Sequence, residues 1–176
     1  MVIYMNSLDK FNTERISAER LQEDHTEFIY QMHQDEQVMA YLGGVRSRGQ
    51  TAEYMEQNLS HWEKYGYGIW VLRENVTGDL IGRGGLRNAV LGGNDEVEVA
   101  YGLLPEFWNK GLATEFAKAV VRIGSLEIGL SGMACVVHPD NLASQRVLEK
   151  TEFVFEREVI YKSEPHLLLR HDNRQI

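Results

Sequence analysis

Several kinds of residue and pattern are scarce in this 176-residue chain, and each scarcity excludes a class of protein. The chain has one cysteine and three prolines. A single cysteine, Cys135, excludes an internal disulfide framework and a metal site built from several cysteines. It favours a reducing compartment, and we expect a cytoplasmic protein. No apolar run reaches the roughly 20 residues of a membrane helix, and the N-terminal residues show no signal-peptide core, so no membrane partner is expected.

Basic residues are outnumbered, with 18 Lys and Arg against 26 Asp and Glu and a net charge of −8. Nucleic-acid binders usually present a basic face that releases phosphate counterions, and no basic stripe is present, so we expect no nucleic-acid partner. Residues 1–60 hold 10 acids and 5 bases. That bias is compatible with a cationic substrate, but ordinary solubility charge is the preferred explanation.

The common signatures of phosphate, nucleophile and metal chemistry are also missing. The sequence has no G-x-x-x-x-G-K-[ST] loop and no G-x-S-x-G elbow. Its glycine-rich segment 82–85 lacks the spacing of a dinucleotide fingerprint. The six histidines form neither H-x-x-x-H nor H-E-x-x-H, so no metal is expected.

The periodicity along the chain predicts a mixture of helices and strands without repeats or linkers, which favours one domain over 1–176. The mixed order predicts an α+β (α/β-type) fold with a mixed sheet. We expect strands at 13–21, 68–73, 80–86, 96–104, 133–137, 154–161 and 166–170, with a turn at 88–95 between the third and fourth. We expect helices at 24–42 (broken near Asp35), 51–65 (N-capped by Thr51), 113–128 and 142–150 (capped by Asn141).

One loop between a predicted strand and a predicted helix favours anion binding. Helix N-termini present unpaired backbone N–H groups, and a glycine lets a phosphate approach them closely. Lysine adds a positive charge, and a small alanine leaves the approach open. An ordinary strand-to-helix connection is the alternative. The loop consists of Asn109, Lys110, Gly111, Leu112, Ala113 and Thr114.

Motifs spread over about 150 residues resemble one known family. Residues 101–115 resemble motif A of the GNAT superfamily of acetyl-CoA-dependent N-acyltransferases. The whole pattern is most similar to its Rim-type branch, which contains ribosomal-protein N-terminal acetyltransferases. The other matching segments, in the family's order, are TERI at 13–16, DEQVMAYLGG at 35–44, the hairpin at 68–86 and HPDNLASQRVLEKTEF at 138–153.

The resemblance implies a GNAT-like fold and acetyl-CoA as co-substrate. That fold has a central mixed, mostly antiparallel sheet flanked by helices, with a splayed parallel strand pair that holds CoA. In the family the pyrophosphate lies on the loop that matches 109–114. Pantetheine pairs with the strand end that matches Gly102, Leu103 and Leu104. Asn141 matches a pantetheine contact, and Ser144 matches a residue close to the sulfur.

Acyl transfer to an amine needs a deprotonated nucleophile and a positioned thioester. The resemblance makes Glu98 the first candidate for the base, while Glu96 lies on the same face of the strand as a neighbour or a decoy. Ser144 and Tyr161 are candidates for protonating the departing thiolate. For all four residues a structural role is the alternative, as a solvated acidic stripe, a helix-start serine or a packed aromatic.

Three residues match the wall of the family's substrate groove, namely His61, Tyr67 and Trp70, with ordinary packing as the alternative. Three others depart from the family pattern. Trp108 replaces Gln or Arg, Asn109 replaces a common glycine, and Glu152 replaces the glycine that ends the last helix. A glutamate in a left-handed position costs about 1 kcal/mol, unless the helix ends differently.

The expected function is acetyl transfer to a primary amine by direct attack in a ternary complex. No acyl-enzyme is expected because Cys135 lies in an apolar run. The acceptor is a protein N-terminus or a small-molecule amine. Dimers are frequent in the family, which makes a homodimer a candidate, but nothing in the sequence fixes an interface. The alternative is a catalytically silent acyl-CoA sensor on the same fold. A non-enzymatic assembly role would predict no CoA affinity at all.

Overall fold

The computed structural model describes residues 4–172. Internal contacts divide the chain into two compact units. The first unit runs up to Gly85 and includes Tyr101–Leu112. The second comprises Leu86–Ala100 and the chain from Ala113 onwards. The expectation of one domain over 1–176 stays a prediction.

The elements from Ile16 onwards follow the order that the sequence predicts. The strands are β1 (Tyr4–Ser7), β2 (Lys10–Asn12), β3 (Ile16–Arg20), β4 (Ile69–Glu74), β5 (Leu80–Leu91), β6 (Asn94–Leu103), β7 (Gly132–Val137), β8 (Val154–Tyr161) and β9 (Glu164–Asp172). The helices are α1 (Thr26–Gln34), α2 (Glu36–Met39), α3 (Arg48–Tyr65), α4 (Leu112–Ile123) and α5 (Leu142–Lys150). In the described residues the strand order is β1-β2-β3-β4-β5-β6-β7-β9-β8, in which neighbouring strands are hydrogen-bonded.

The break between the first two helices has a local cause. The Asp35 carboxylate accepts hydrogen bonds from the backbone N–H groups of Gln37 and Val38, so α2 begins immediately after it. An aspartate used in this way replaces the carbonyl partners that the first N–H groups of a helix lack. The predicted break near Asp35 is confirmed.

Helix α3 begins three residues earlier than we predict from the sequence. Ser47 Oγ accepts from the Gln50 N–H at 3.2 Å, and Gln50 Oε1 accepts from the Ser47 N–H at 2.8 Å. This capping box starts the helix at Arg48, so the prediction that Thr51 is the N-cap is wrong. Thr51 is buried, with its Oγ1 2.8 Å from His33 Nδ1.

The sheet of the first unit is antiparallel and packs one face on helices. Strand β4 pairs with β3 and with β5, with Val71 opposite Arg83, so the predicted hairpin is confirmed. Residues from β4, α1 and α3 share a core with Leu21, which follows β3; the other members are Ile29, Tyr54, Met55, Ile69 and Val71. Side chains opposite each other in an antiparallel pair lie on the same face. Arg83 therefore shares the helix-covered face with Val71.

The second unit contains the parallel strand pair. Strand β9 pairs antiparallel with β7 and β8. Strand β6 pairs parallel with β7, and the register of that pair is Glu98 opposite Ala134. A sheet that is mostly antiparallel with one parallel pair confirms the predicted α+β fold class.

Two boundaries differ from the sequence-based expectation. Strand β5 continues to Leu91, so the turn expected over 88–95 shrinks to Gly92 and Gly93, both with positive φ. The helix expected over 113–128 ends at Ile123 and continues as a π-helical turn at Gly124–Ile128. A Cβ on Gly124 would lie 2.6 Å from Met133 Sδ, so glycine lets the Met133 side chain pack closely where the helix widens.

Strands β1 and β2 are absent from the sequence-based expectation. They are four and three residues long. Period-2 patterns need four to eight residues to stand out, so such short strands carry little signal.

Candidate active site

The loop between β6 and α4 has the backbone conformation that close approach of an anion requires. Asn109 and Gly111 both adopt left-handed conformations, with φ of 58° and 77°. Helix α4 begins at Leu112, so its first N–H groups follow directly. A Cβ on Gly111 would have one described atom within 4 Å, Arg15 Nη2 at 3.5 Å. These residues fit a phosphate group at the start of α4.

Arg15 supports this loop, a role that sequence analysis missed. Its Nη1 donates a 2.8 Å hydrogen bond to the carbonyl oxygen of Lys110. The contact joins residues 95 positions apart, both in the first unit. A guanidinium beside the loop adds positive charge where the pyrophosphate is expected. The sequence signal was present, because Arg15 lies in the TERI segment that carries the family resemblance.

The strand end expected to pair with pantetheine is held by two hydrogen bonds. Trp108 Nε1 donates to the carbonyl oxygen of Leu103 at 2.7 Å. The N–H of Leu104 donates to the carbonyl oxygen of Ile81 at 2.8 Å. A Cβ on Gly82 would lie 2.3 Å from the carbonyl oxygen of Gly102, so β5 presses closely on this end of β6. Trp108 therefore ties the loop to the strand, which gives the departure at this position a structural reason.

Arg87 connects two of the predicted catalytic residues in the second unit. Its Nε donates to Glu98 Oε2 at 2.6 Å, and its Nη2 donates to Tyr161 Oη at 3.3 Å. Glu98 is 4% exposed, and the Tyr161 ring contacts His166 edge-on at 5.4 Å. Sequence analysis did not single out Arg87, because its importance depends on which strands are neighbours.

Glu96 belongs to a different ion-pair group. Arg170 donates from Nη1 and Nη2 to its two carboxylate oxygens at 2.9 and 2.7 Å, and from Nε to Glu156 at 2.6 Å. These hydrogen bonds raise the pKa of Arg170 above its usual value. The hydrogen bond from Arg170 also lowers the pKa of Glu156. Glu96 and Glu98 thus each hold an arginine, rather than forming a solvated acidic stripe.

Asn141 caps α5, as the sequence predicts. Its Oδ1 accepts from the backbone N–H of Ser144 at 3.1 Å, and α5 spans Leu142–Lys150. Ser144 lies in the first turn of that helix and is half-buried. The hydrogen bond holds both residues at the helix start, where the resemblance expects pantetheine and sulfur contacts.

Cys135 lies on β7, next to the position that pairs with Glu98. Its thiol is buried, and desolvation together with the Glu98 charge raises its pKa. A thiol kept protonated is a poor nucleophile. Burial and the raised pKa therefore disfavour Cys135 as a nucleophile.

The three residues expected at the substrate groove lie in the first unit but differ in exposure. Trp70 is fully buried, donates from Nε1 to the carbonyl oxygen of Leu8 at 2.8 Å and packs against Phe11 and Trp62. This geometry favours the packing alternative for Trp70. His61 is half-buried, and its Nδ1 is 2.9 Å from the carbonyl oxygen of the buried Tyr67.

The described residues contain neither a cluster of metal-ligating side chains nor a membrane-spanning helix. Over 4–172, no three His, Cys, Asp or Glu side chains lie close enough together to hold a metal ion. No helix within the same residues is long and apolar enough to cross a membrane.

Comparison with known proteins identifies relatives over most of the chain. Residues 15–154 match the model of the acetyltransferase (GNAT) domain family. An uncharacterized Bacillus subtilis protein, YkkB, is 29% identical over 147 residues, covering 83% of this chain and 86% of the relative. The B. subtilis uncharacterized N-acetyltransferase YoaA is 30% identical over 149 residues and 80% of each chain.

Solved structures share the fold at low sequence identity. An Agrobacterium tumefaciens acetyltransferase superposes with a TM-score of 0.82 at 21% identity, covering 97% of this chain and 98% of that one. The Vibrio fischeri ribosomal-protein-S5-alanine acetyltransferase gives 0.77 at 18%, covering 94% and 97%. The Vibrio cholerae spermidine N-acetyltransferase, solved with CoA and spermine, gives 0.74 at 16%, covering 92% and 97%. The chain therefore belongs to the GNAT family of acetyltransferases, whose acyl donor is acetyl-CoA.

Proposed function

We propose that this protein transfers the acetyl group of acetyl-CoA to a primary amine by direct attack, with Glu98 as the base. The observation that carries the proposal is the position of Glu98. It is buried, it lies opposite Ala134 in the parallel pair of β6 and β7, and Arg87 orients it. In the family resemblance, this parallel pair holds the donor.

We assign acetyl-CoA binding to the loop at 109–114 and to the residues that hold it. The left-handed Asn109 and Gly111 place the N-terminus of α4 for phosphate oxygens, and Arg15 holds the Lys110 carbonyl. The strand end at Gly102, Leu103 and Leu104 is proposed to align pantetheine. A carbonyl oxygen accepts two hydrogen bonds, so Leu103 can serve both Trp108 and the donor.

The chemical step requires removal of a proton from the amine. A free alkyl amine has a pKa of roughly 10, so it is protonated at neutral pH. We assign Glu98 to accept that proton, directly or through water, while Arg87 fixes the carboxylate orientation. Tyr161 Oη, bonded to Arg87, and Ser144 at the start of α5 are the proposed donors of a proton to the thiolate.

The acceptor is proposed to be a protein N-terminus, as in Rim-type members, or a small amine. The V. fischeri neighbour is named for a ribosomal protein and the V. cholerae neighbour for spermidine, so both acceptor classes occur on this fold. The acid excess in residues 1–60 favours a cationic amine. His61 and Tyr67 are proposed to contact it.

The experiment compares Glu98→Gln with Glu96→Gln, its neighbour two residues away on the same strand. Both variants remove a carboxylate that holds an arginine, so both lose an ion pair. We expect turnover of acetyl-CoA with an amine panel to fall about 100-fold or more in Glu98→Gln only. Raising the pH towards the pKa of the amine should partly restore the activity of this variant, because the amine then deprotonates by itself.

Equal losses in the two variants, or no rescue at high pH, would contradict the role of Glu98. The alternative function is an acyl-CoA sensor without catalysis. The ion pair of Glu98 with Arg87 favours this alternative, because the arginine already balances the charge of the carboxylate. That alternative predicts acetyl-CoA binding by titration and no turnover with any amine of the panel.

A further inference from the structure

A group of cationic and polar side chains, none of them assigned a role above, surrounds one tyrosine in the first unit. We define the Tyr54 cluster as His33, Arg46, Thr51, Tyr54 and Arg83. The guanidinium carbons of Arg46 and Arg83 lie 5.3 and 5.4 Å from the centroid of the Tyr54 ring. The His33 ring meets the same ring edge-on at 5.0 Å.

Arg83 is the unusual member of the cluster. It is 6% exposed, and its guanidinium carbon lies over the face of Tyr54. No hydrogen bond or ion pair reaches its guanidinium from residues 4–172. A mostly buried charge without an opposite charge loses much of its hydration, and contact with an aromatic face replaces only part of it.

Two further atoms of the cluster lack partners among the described residues. His33 Nε2 and Tyr54 Oη are buried without a hydrogen bond. His33 Nδ1 already lies 2.8 Å from Thr51 Oγ1, which leaves Nε2 for another group. Buried polar atoms are nearly always hydrogen-bonded, so unpartnered atoms indicate a missing ligand or water.

The two charged groups that act on His33 within the cluster are both positive. Burial, together with the charges of Arg46 and Arg83, lowers the pKa of His33 to about 3. The imidazole is therefore neutral at physiological pH. Arg46 also donates to the carbonyl oxygen of Leu42 at 3.3 Å. A water molecule would satisfy Tyr54 Oη and His33 Nε2 but would supply no negative charge for Arg83.

We propose that the Tyr54 cluster is a binding site for a small carboxylate anion. The planar guanidinium of Arg83 matches the two oxygens of a carboxylate, and Tyr54 Oη is a further donor. A singly charged carboxylate balances Arg83, whereas phosphate brings more charge and more hydration into a buried place. The site goes beyond the acetyl-transfer proposal and stands whether or not an amine is acetylated.

The test uses the full chain with sodium acetate and inorganic phosphate as probes, at constant ionic strength. We expect saturable stabilisation by acetate in thermal unfolding, because a ligand that binds the folded state raises Tm. Shifts of the His33 side-chain NMR signals should saturate at the same acetate concentrations. Saturating acetyl-CoA should change the Kd for acetate by less than about twofold, because the donor loop and the Tyr54 cluster share no residue.

Two variants assign the site to these residues. Arg83→Gln should weaken acetate binding at least tenfold. Its Tm without acetate should be no lower than that of wild type, because the substitution removes an unpaired charge. Tyr54→Phe deletes one hydroxyl and should weaken acetate binding severalfold with little change in Tm. The exposed Arg122→Gln and Tyr65→Phe are the matched controls and should bind acetate like wild type.

Several results would overturn the proposal. These are no saturable acetate effect, an effect equal in Arg83→Gln and Arg122→Gln, preference for phosphate over acetate, or competition by acetyl-CoA. Loss of stability in Arg83→Gln together with unchanged acetate binding in Tyr54→Phe would make the cluster purely structural. Ordered water with no anion affinity would do the same.

Discussion

At the scale of single residues, this protein distinguishes side chains that look equivalent in the sequence. Glu96 and Glu98 lie two positions apart on β6, yet Glu96 pairs with Arg170 and Glu98 with Arg87. The sequence predicts a shared face but not the partners, because the partners lie on other strands. Comparing the two carboxylates is therefore the most direct test of the catalytic proposal.

Arg15 gives a second residue-scale prediction. Because its guanidinium bonds the Lys110 carbonyl next to the left-handed Gly111, we expect Arg15→Gln to weaken acetyl-CoA binding about tenfold, or about 1.4 kcal/mol. Isothermal titration measures the affinity. Arg15→Lys should recover part of it, since lysine keeps the charge but not the planar donor pair. Unchanged binding in Arg15→Gln, with Arg122→Gln as control, would contradict a role in the donor loop.

The end of α5 gives a third prediction. Glu152 has a φ of 65°, its N–H donates to the Glu149 carbonyl, and the Phe153 N–H donates to the Leu148 carbonyl. This is the hydrogen-bond pattern of a Schellman motif, in which glycine is the usual residue at the left-handed position. We expect Glu152→Gly to raise the free energy of unfolding by about 1 kcal/mol in urea titration.

The control is Arg146→Gly, a glycine substitution at an exposed position in the middle of α5. It should lower the free energy of unfolding by about 1 kcal/mol, because glycine disfavours a helix interior. If both variants are destabilised alike, Glu152 does not bear backbone strain.

At the scale of elements, local signals set where helices begin. The capping box of Ser47 and Gln50 starts α3, although Thr51 is also a good N-cap residue type. We expect Ser47→Ala to lower the free energy of unfolding by about 1 kcal/mol, while the exposed Ser60→Ala within the same helix changes little. A loss of stability in Thr51→Ala would not show that Thr51 caps the helix, because its side chain also contacts His33.

At the scale of the whole molecule, the buried His33 links folding to pH. Its pKa is about 3 in the folded protein against 6.5 as the ordinary value, so the unfolded chain takes up the proton first as the pH falls. The free energy of unfolding should therefore decrease from about pH 6.5 towards pH 3, by up to about 1.4 kcal/mol per pH unit from this residue.

Urea unfolding at pH 7, 6 and 5 checks this expectation. His33→Gln lacks the titrating group and should show a smaller decrease than wild type over the same range. The half-buried His138→Gln should behave like wild type. Parallel curves for wild type and His33→Gln would contradict the coupling.

The sequence by itself determined the fold class, most elements and the family. Hydrophobic periodicity, caps such as Asn141 and Asp35, and glycine turns are local signals, so they can be read without the tertiary structure. The motifs at 13–16, 101–115 and 138–153 likewise indicated the donor loop. The family resemblance also pointed to left-handed backbone at Asn109 and Glu152, because both stand at positions where the family usually has glycine.

Only the tertiary structure decided which distant side chains meet. The contacts of Arg15 with Lys110, and of Arg87 with Glu98 and Tyr161, span 95, 11 and 74 positions. The tertiary structure also decided that Trp70 is buried and that Arg83 is mostly buried without an opposite charge beside it. Burial and pairing depend on strand order and helix packing, which bring together residues that no local pattern relates.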